Sequence, residues 1–130
     1  MRHGTPPTTE DILDMAETAL DAIPAMLRQK VRGTAILVED VPDEETLAEL
    51  GLDNVWELTG LYRGIPLTEK SAADTPMSPD TILLYREPIL LEWIETGEDL
   101  FALVRNVLIH EIGHHFGLSD ADIERLERDE

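Results

Sequence analysis

Residues 98–116 carry the chain's longest helical pattern, and Leu100, Phe101, Leu103, Val104, Val107, Leu108, Ile109, Ile112 and Phe116 are spread round nearly its whole circumference. A helix that is apolar on every side must be covered on every side, so the remaining elements have to be layers packed around it. Leu100, Leu103 and Val107 share an angular sector that His110, Glu111 and His114 take over one or two turns later. The polar side chains therefore sit at the far end of a core helix. Gly113 costs about 1 kcal/mol against alanine in a helix interior, and the expected return is close approach of a neighbouring strand.

The stretch His110-Glu111-Ile112-Gly113-His114-His115-Phe116-Gly117-Leu118-Ser119-Asp120 reads HExxHxxGxxD. At about 100° per residue, His110 and His114 end about 40° apart and one turn displaced, with both imidazoles aimed at one point. That is a two-ligand half-site for a metal. Glu111 lies beside them, placed to act on a water as general base. Gly117 can take the left-handed conformation that ends a helix, which turns the chain back and lets Asp120 present a carboxylate as third ligand. A fourth position stays open, as in a catalytic zinc site. The bland alternative is a buried helix with hydrogen-bonded core histidines, Gly117 as a plain stop, and Ser119 or Asp120 as N-cap of a last helix over 121–127.

A length of 130 residues with 42% apolar content suits one domain with one core. The balance of 28 acidic against 10 basic residues, a formal charge of -18, opposes nucleic-acid backbones and anionic membranes; spread over helices and loops, the acidity reads first as a solvated surface, and it also suits basic substrates. Without cysteine, histidine and carboxylate are the strong metal ligands on offer. The first residues hold no apolar signal-peptide core and no run approaches about 18 apolar residues, so a cytoplasmic protein is the expectation.

In chain order, residues 1–7 read as a loose arm before Thr8 or Thr9 caps an amphipathic helix carrying Ile12, Met15, Ala16, Ala19 and Ile23, broken at Pro24 and resumed over 25–30. A first strand is expected at 34–39, a short helix at 43–50, and a second strand at 57–65 with Gly60 marking a bulge. Residues 67–79 form a polar connection. A third strand spans 81–86 and ends at Glu87-Pro88, and 89–94 is a short helical or irregular segment. The sum is an α+β fold, a three- to four-stranded mixed sheet with helices on one face, the core helix carrying the motif.

The motif resembles that of the zincin metallopeptidases, in the metzincin-like variant with aspartate as third ligand. The small size and the stretches Gly60-Leu61-Tyr62-Arg63-Gly64 and Pro79-Asp80-Thr81-Ile82-Leu83-Leu84-Tyr85-Arg86 look like the bacterial minimal zincins, a likeness covering most of the chain to Asp120. The resemblance implies one zinc ion held by His110, His114 and Asp120, Glu111 as catalytic base, and a peptide or protein as substrate. No methionine follows the motif and no C-terminal lobe walls the cleft, a departure from larger metzincins that leaves two other readings open: a metal hydrolase of a non-peptide substrate, and a weakly active or non-catalytic binding module. For the developing oxyanion the sequence offers Tyr62, Tyr85, Arg63, Arg86 and His115 without choosing. His115 stands one turn beyond Glu111, where it would either lower the pKa of that carboxyl or simply pack near the helix end.

Overall fold

The structure, a computed structural model, describes residues 5–64 and 80–128. Helix α1 (Thr9–Leu20) opens with a capping box: the Thr8 hydroxyl accepts from the Asp11 N–H at 3.1 Å, and the Asp11 carboxylate accepts from the Thr8 N–H at 2.9 Å. Its buried face, Ile12, Ala16 and Ala19, follows helical spacing. Pro24 separates it from α2 (Ala25–Lys30), as expected from a residue that cannot donate to the preceding turn. Strand β1 (Ala35–Glu39), helix α3 (Glu44–Leu50), a 3-10 turn at Val55–Glu57 and strand β2 (Gly60–Arg63) follow. After strand β3 (Thr81–Tyr85) come three helices, α4 (Arg86–Thr96), α5 (Leu100–His115) and α6 (Asp120–Arg128).

The described strands form one mixed sheet in the order β1-β3-β2, with β1 parallel and β2 antiparallel to β3. The register sets Ile36 beside Ile82 beside Tyr62, and Val38 beside Leu84 beside Gly60. Side chains alternate along each strand, so these six positions share the face on which α1 and α5 pack. Leu37, Leu83, Tyr85, Leu61 and Arg63 take the opposite face, where Leu37 stays half exposed and Arg63 donates to Thr46 and Glu49 of α3. This is the expected α+β arrangement, with α5 as the central helix: Leu103, Val104, Val107, Leu108, Ile109 and Ile112 are all buried. No described helix is long and apolar enough to cross a membrane.

Several expectations are corrected. Pro88 does not end an element; it is the third residue of α4, in the first turn, where a helix has no use for the missing N–H. Arg86 consequently opens α4 rather than closing β3. Gly60 is no bulge, since β2 pairs with β3 residue for residue from Gly60 to Arg63, and Glu57, expected to open the strand, instead closes the 3-10 turn at Val55–Glu57. The proposed connection at 67–79, Ile65 and the first four residues of the arm lie outside the described residues. In the described part of the arm, the Pro7 carbonyl accepts from Arg86 Nε at 2.6 Å.

Candidate metal centre and the cavity beside it

Helix α5 starts at Asp99, whose carboxylate caps the Ala102 N–H at 3.0 Å, and stays buried until its last two turns. There Phe116 is the C-cap and Gly117 adopts φ +83°. The Gly117 N–H bonds back to the His114 carbonyl at 3.1 Å and the Leu118 N–H to the Gly113 carbonyl at 2.9 Å, the paired closure known as a Schellman motif. The left-handed residue reverses the chain within three residues, as expected of Gly117. Ser119 then accepts from the Asp122 N–H at 3.1 Å and so caps α6. The cap belongs to Ser119, and the carboxylate of Asp120 is left for another contact.

That contact is with His114. Its Nε2 stands 2.9 Å from Asp120 Oδ1, and the His110 and His114 rings lie 4.3 Å apart between centroids. The structure thus brings His114 next to both His110 and Asp120. Among the described residues no three His, Cys, Asp or Glu side chains converge tightly enough to hold an ion as they stand. With no cysteine in the chain, His110, His114 and Asp120 offer imidazole nitrogen and carboxylate oxygen, ligand types that suit zinc. His110, His114 and Asp120 are all solvent-exposed and can turn. Two imidazoles and a carboxylate fit zinc by donor type, and would have to draw together to hold it.

Glu111 is the interior member of the group. Burial pushes its carboxyl up to about 7, against the opposing influence of His114 and of the Tyr62 N–H, which donates to it. Strand β2 can come that close because residue 60 is glycine: a Cβ there would lie 2.8 Å from Val107 Cγ1 and 3.3 Å from Glu111 Cγ. Gly113 also permits close approach, but of a helix rather than the expected strand. A Cβ on it would meet Ile123 Cγ1 of α6 at 2.8 Å.

The oxyanion candidates separate. Tyr62 is on the helix side of the sheet, its ring stacked on His115 at 3.8 Å and 15°, its hydroxyl 3.3 Å from Asp80 Oδ2 and 3.5 Å from Thr34. His115 is thereby turned to Tyr62, and the groups that bear on Glu111 are His114 and the Tyr62 main chain. Tyr85 points to the other face of the sheet, hydrogen-bonded to Thr46, with burial raising its pKa. Arg63 is on that face too, and Arg86 is spent on Pro7 and Asp40. Tyr85, Arg63 and Arg86 are therefore not brought to the histidines.

A cavity of about 300 Å³ opens beside His110 and Glu111. Leu103, Asn106 and Val107 of α5 form one wall, Thr59 precedes β2, and Glu92, Glu98 and Glu127 arrive from α4, from the α4–α5 link and from α6. Burial and the nearby Glu124 and Glu98 raise the pKa of Glu127, while His110 and Arg105 oppose the shift. The sequence reading named none of these carboxylates. Asn106 alone carried a signal, one turn before His110 on the same helix face.

A family model for zincin-like metallopeptidases matches residues 31–129, which include the whole of α5 and the motif. Among solved structures, a conserved hypothetical protein from Thermus thermophilus is similar at 24% identity and a TM-score of 0.56, over 91% of this chain and 99% of that one. That likeness shows the fold alone. No curated protein matches the chain. With three quarters of its length matched by the family model and HExxHxxGxxD at the end of its core helix, the chain belongs to the zincin-like metallopeptidase family.

Proposed function

We propose that this protein is a zinc-dependent peptidase, with His110, His114 and Asp120 holding one zinc ion per chain and Glu111 as general base. The observation that supports it most is the contact set at the end of α5: His110 beside His114, His114 on Asp120, and a half-buried Glu111 lining a cavity. Zinc, when bound, supplies Lewis acidity, which acidifies water and polarises a carbonyl. The chain supplies the rest. Glu111 accepts from the Tyr62 N–H on one side and lines the cavity on the other. From there its carboxylate can take a proton from water and pass it to the leaving amine. Gly60 and the Tyr62–His115 stack hold β2 against the helix that carries this base.

The test is hydrolysis of a peptide library by the zinc-loaded protein and by Glu111→Gln. The amide keeps the shape and cannot accept the proton, so zinc content is expected to stay and turnover to fall by about 100-fold or more. Turnover within a few-fold of the parent rejects Glu111 as the base. Zinc binding without hydrolysis of any peptide by the parent favours a non-peptide substrate or a binding module.

A further inference from the structure

We infer that the cavity beside His110 and Glu111 is a subsite for a cationic side chain of the substrate, that of lysine or arginine. The inference rests on the peptidase reading and names the substrate class for it. A lysine or arginine side chain is an aliphatic stem with a charged head, and it binds best where an apolar wall leads to acceptors. The cavity is built in that order. Leu103 and Val107, 3% and 8% exposed, line it beside Glu111, and Glu92, Glu98 and Glu127 supply carboxylates from three separate segments. Its volume of about 300 Å³ takes one long side chain. Low-dielectric walls lined by one sign of charge focus the potential inside a cleft, which raises the local concentration of cations.

Arg105, 3% exposed, directs Nη1 to the main-chain oxygen of Glu127 and to Asn106 Oδ1, and its charge, like that of His110, bears on the Glu127 carboxyl and offsets only part of the acidity of the lining. A neutral side chain of equal length would cover Leu103 and Val107 yet bring no charge to the carboxylates, and an acidic one would be repelled. Because His110 and Glu111 line the same cavity, a side chain seated in it brings its own residue's peptide link to the candidate base.

The experiment has a binding arm and a cleavage arm, so the two readings can fail separately. In the first, Nα-acetyl-lysine N-methylamide and its norleucine counterpart are titrated into the zinc-loaded protein and followed by the backbone amide signals of Leu103, Asn106 and Val107. The lysine compound is expected to bind about fivefold more tightly, with a difference that shrinks with added salt and in Glu92→Gln/Glu98→Gln. Should the double variant not fold, Glu98→Gln alone, at an exposed position, replaces it. Equal binding of the two compounds, or a lysine preference untouched by salt and by the variant, overturns the subsite. In the second arm, peptides differing only in lysine or norleucine beside the scissile bond are compared by kcat/KM. A lysine preference that falls toward unity in the variant supports the subsite, and cleavage with no such preference overturns it while leaving the peptidase reading in place. Charge-dependent binding with no cleavage of either peptide supports the subsite and defeats the peptidase reading.

Discussion

Replacing Gly60 with alanine tests whether the closeness of β2 to the site helix is set by the missing Cβ. The added carbon would stand 2.8 Å from Val107 Cγ1 and 3.3 Å from the Leu83 carbonyl oxygen. Carbon pairs rest at about 3.5–4.0 Å, so strand and helix must part by about 1 Å. Val107 is β-branched in a helix and holds one strongly preferred rotamer, so its methyl cannot swing aside cheaply. Overpacking of this kind costs about 1–3 kcal/mol, and alanine recovers about 0.5–1 kcal/mol of glycine's chain entropy. The net expectation is a loss of about 1 kcal/mol. Val107→Ala alone removes buried methyls and costs about 2 kcal/mol, but it also clears the space that the new Cβ needs. The double variant should therefore be more stable than the sum of the singles by about 1 kcal/mol or more. Urea denaturation of the four metal-free proteins measures this. Additivity within about 0.5 kcal/mol, or Gly60→Ala as stable as the parent, refutes the reasoning.

Elemental analysis after zinc loading should give one ion per chain, and less than about a tenth of that in His110→Ala/His114→Ala; an unchanged stoichiometry would remove these residues from the ligand set. In the metal-free protein the Glu111 carboxyl lies at about 7 against an ordinary 4.5. The folded state thus holds the proton more tightly than the unfolded one, and stability falls as pH rises from 4.5 to about 7. Glu111→Gln should then stabilise the metal-free protein by up to about 3 kcal/mol at about pH 8 and confer little below pH 4.5, by thermal or chemical melts; a gain independent of pH would contradict the burial argument. Gly113→Ala should destabilise by about 1–2 kcal/mol despite the better helix propensity, because Ile123 occupies the space, and the same change made in Ile123→Ala, which lacks both Cγ1 and Cδ1, should cost less, as chemical denaturation would show.

What the sequence made legible was whatever one segment decides alone. The apolar circumference of 100–116 marked the core helix, Gly117 its end, and the i, i+4 histidines their common direction, because each depends on helical geometry and nothing else. The two tyrosines show the limit. Tyr62 and Tyr85 are both aromatic residues on strands, and only the pairing of Tyr62 with Ile82 sends one toward α5 and the other to the far face. Gly113 announced a close neighbour without naming it, since a missing Cβ accommodates a helix as readily as a strand. Glu92, Glu98 and Glu127 looked like solvated surface in a chain of charge -18. Their meeting at one cavity is a product of how α4 and α6 dock on α5, and no local pattern encodes that.

The notch at Gly113 has a thermodynamic consequence. Asp120 is the first residue of α6, and α6 is seated by Ile123, 1% exposed, lodged against a position that has no side chain. With Asp120 as a metal ligand, the chelate is preorganised only in those molecules whose last helix is docked. The apparent dissociation constant for the ion is then the intrinsic one divided by the docked fraction, so a change that lowers that fraction tenfold weakens the metal tenfold without touching a ligand. Linkage makes the effect reciprocal: bound metal would hold the C-terminal helix down, and hydrogen exchange in 120–128 would report occupancy of a centre one turn away.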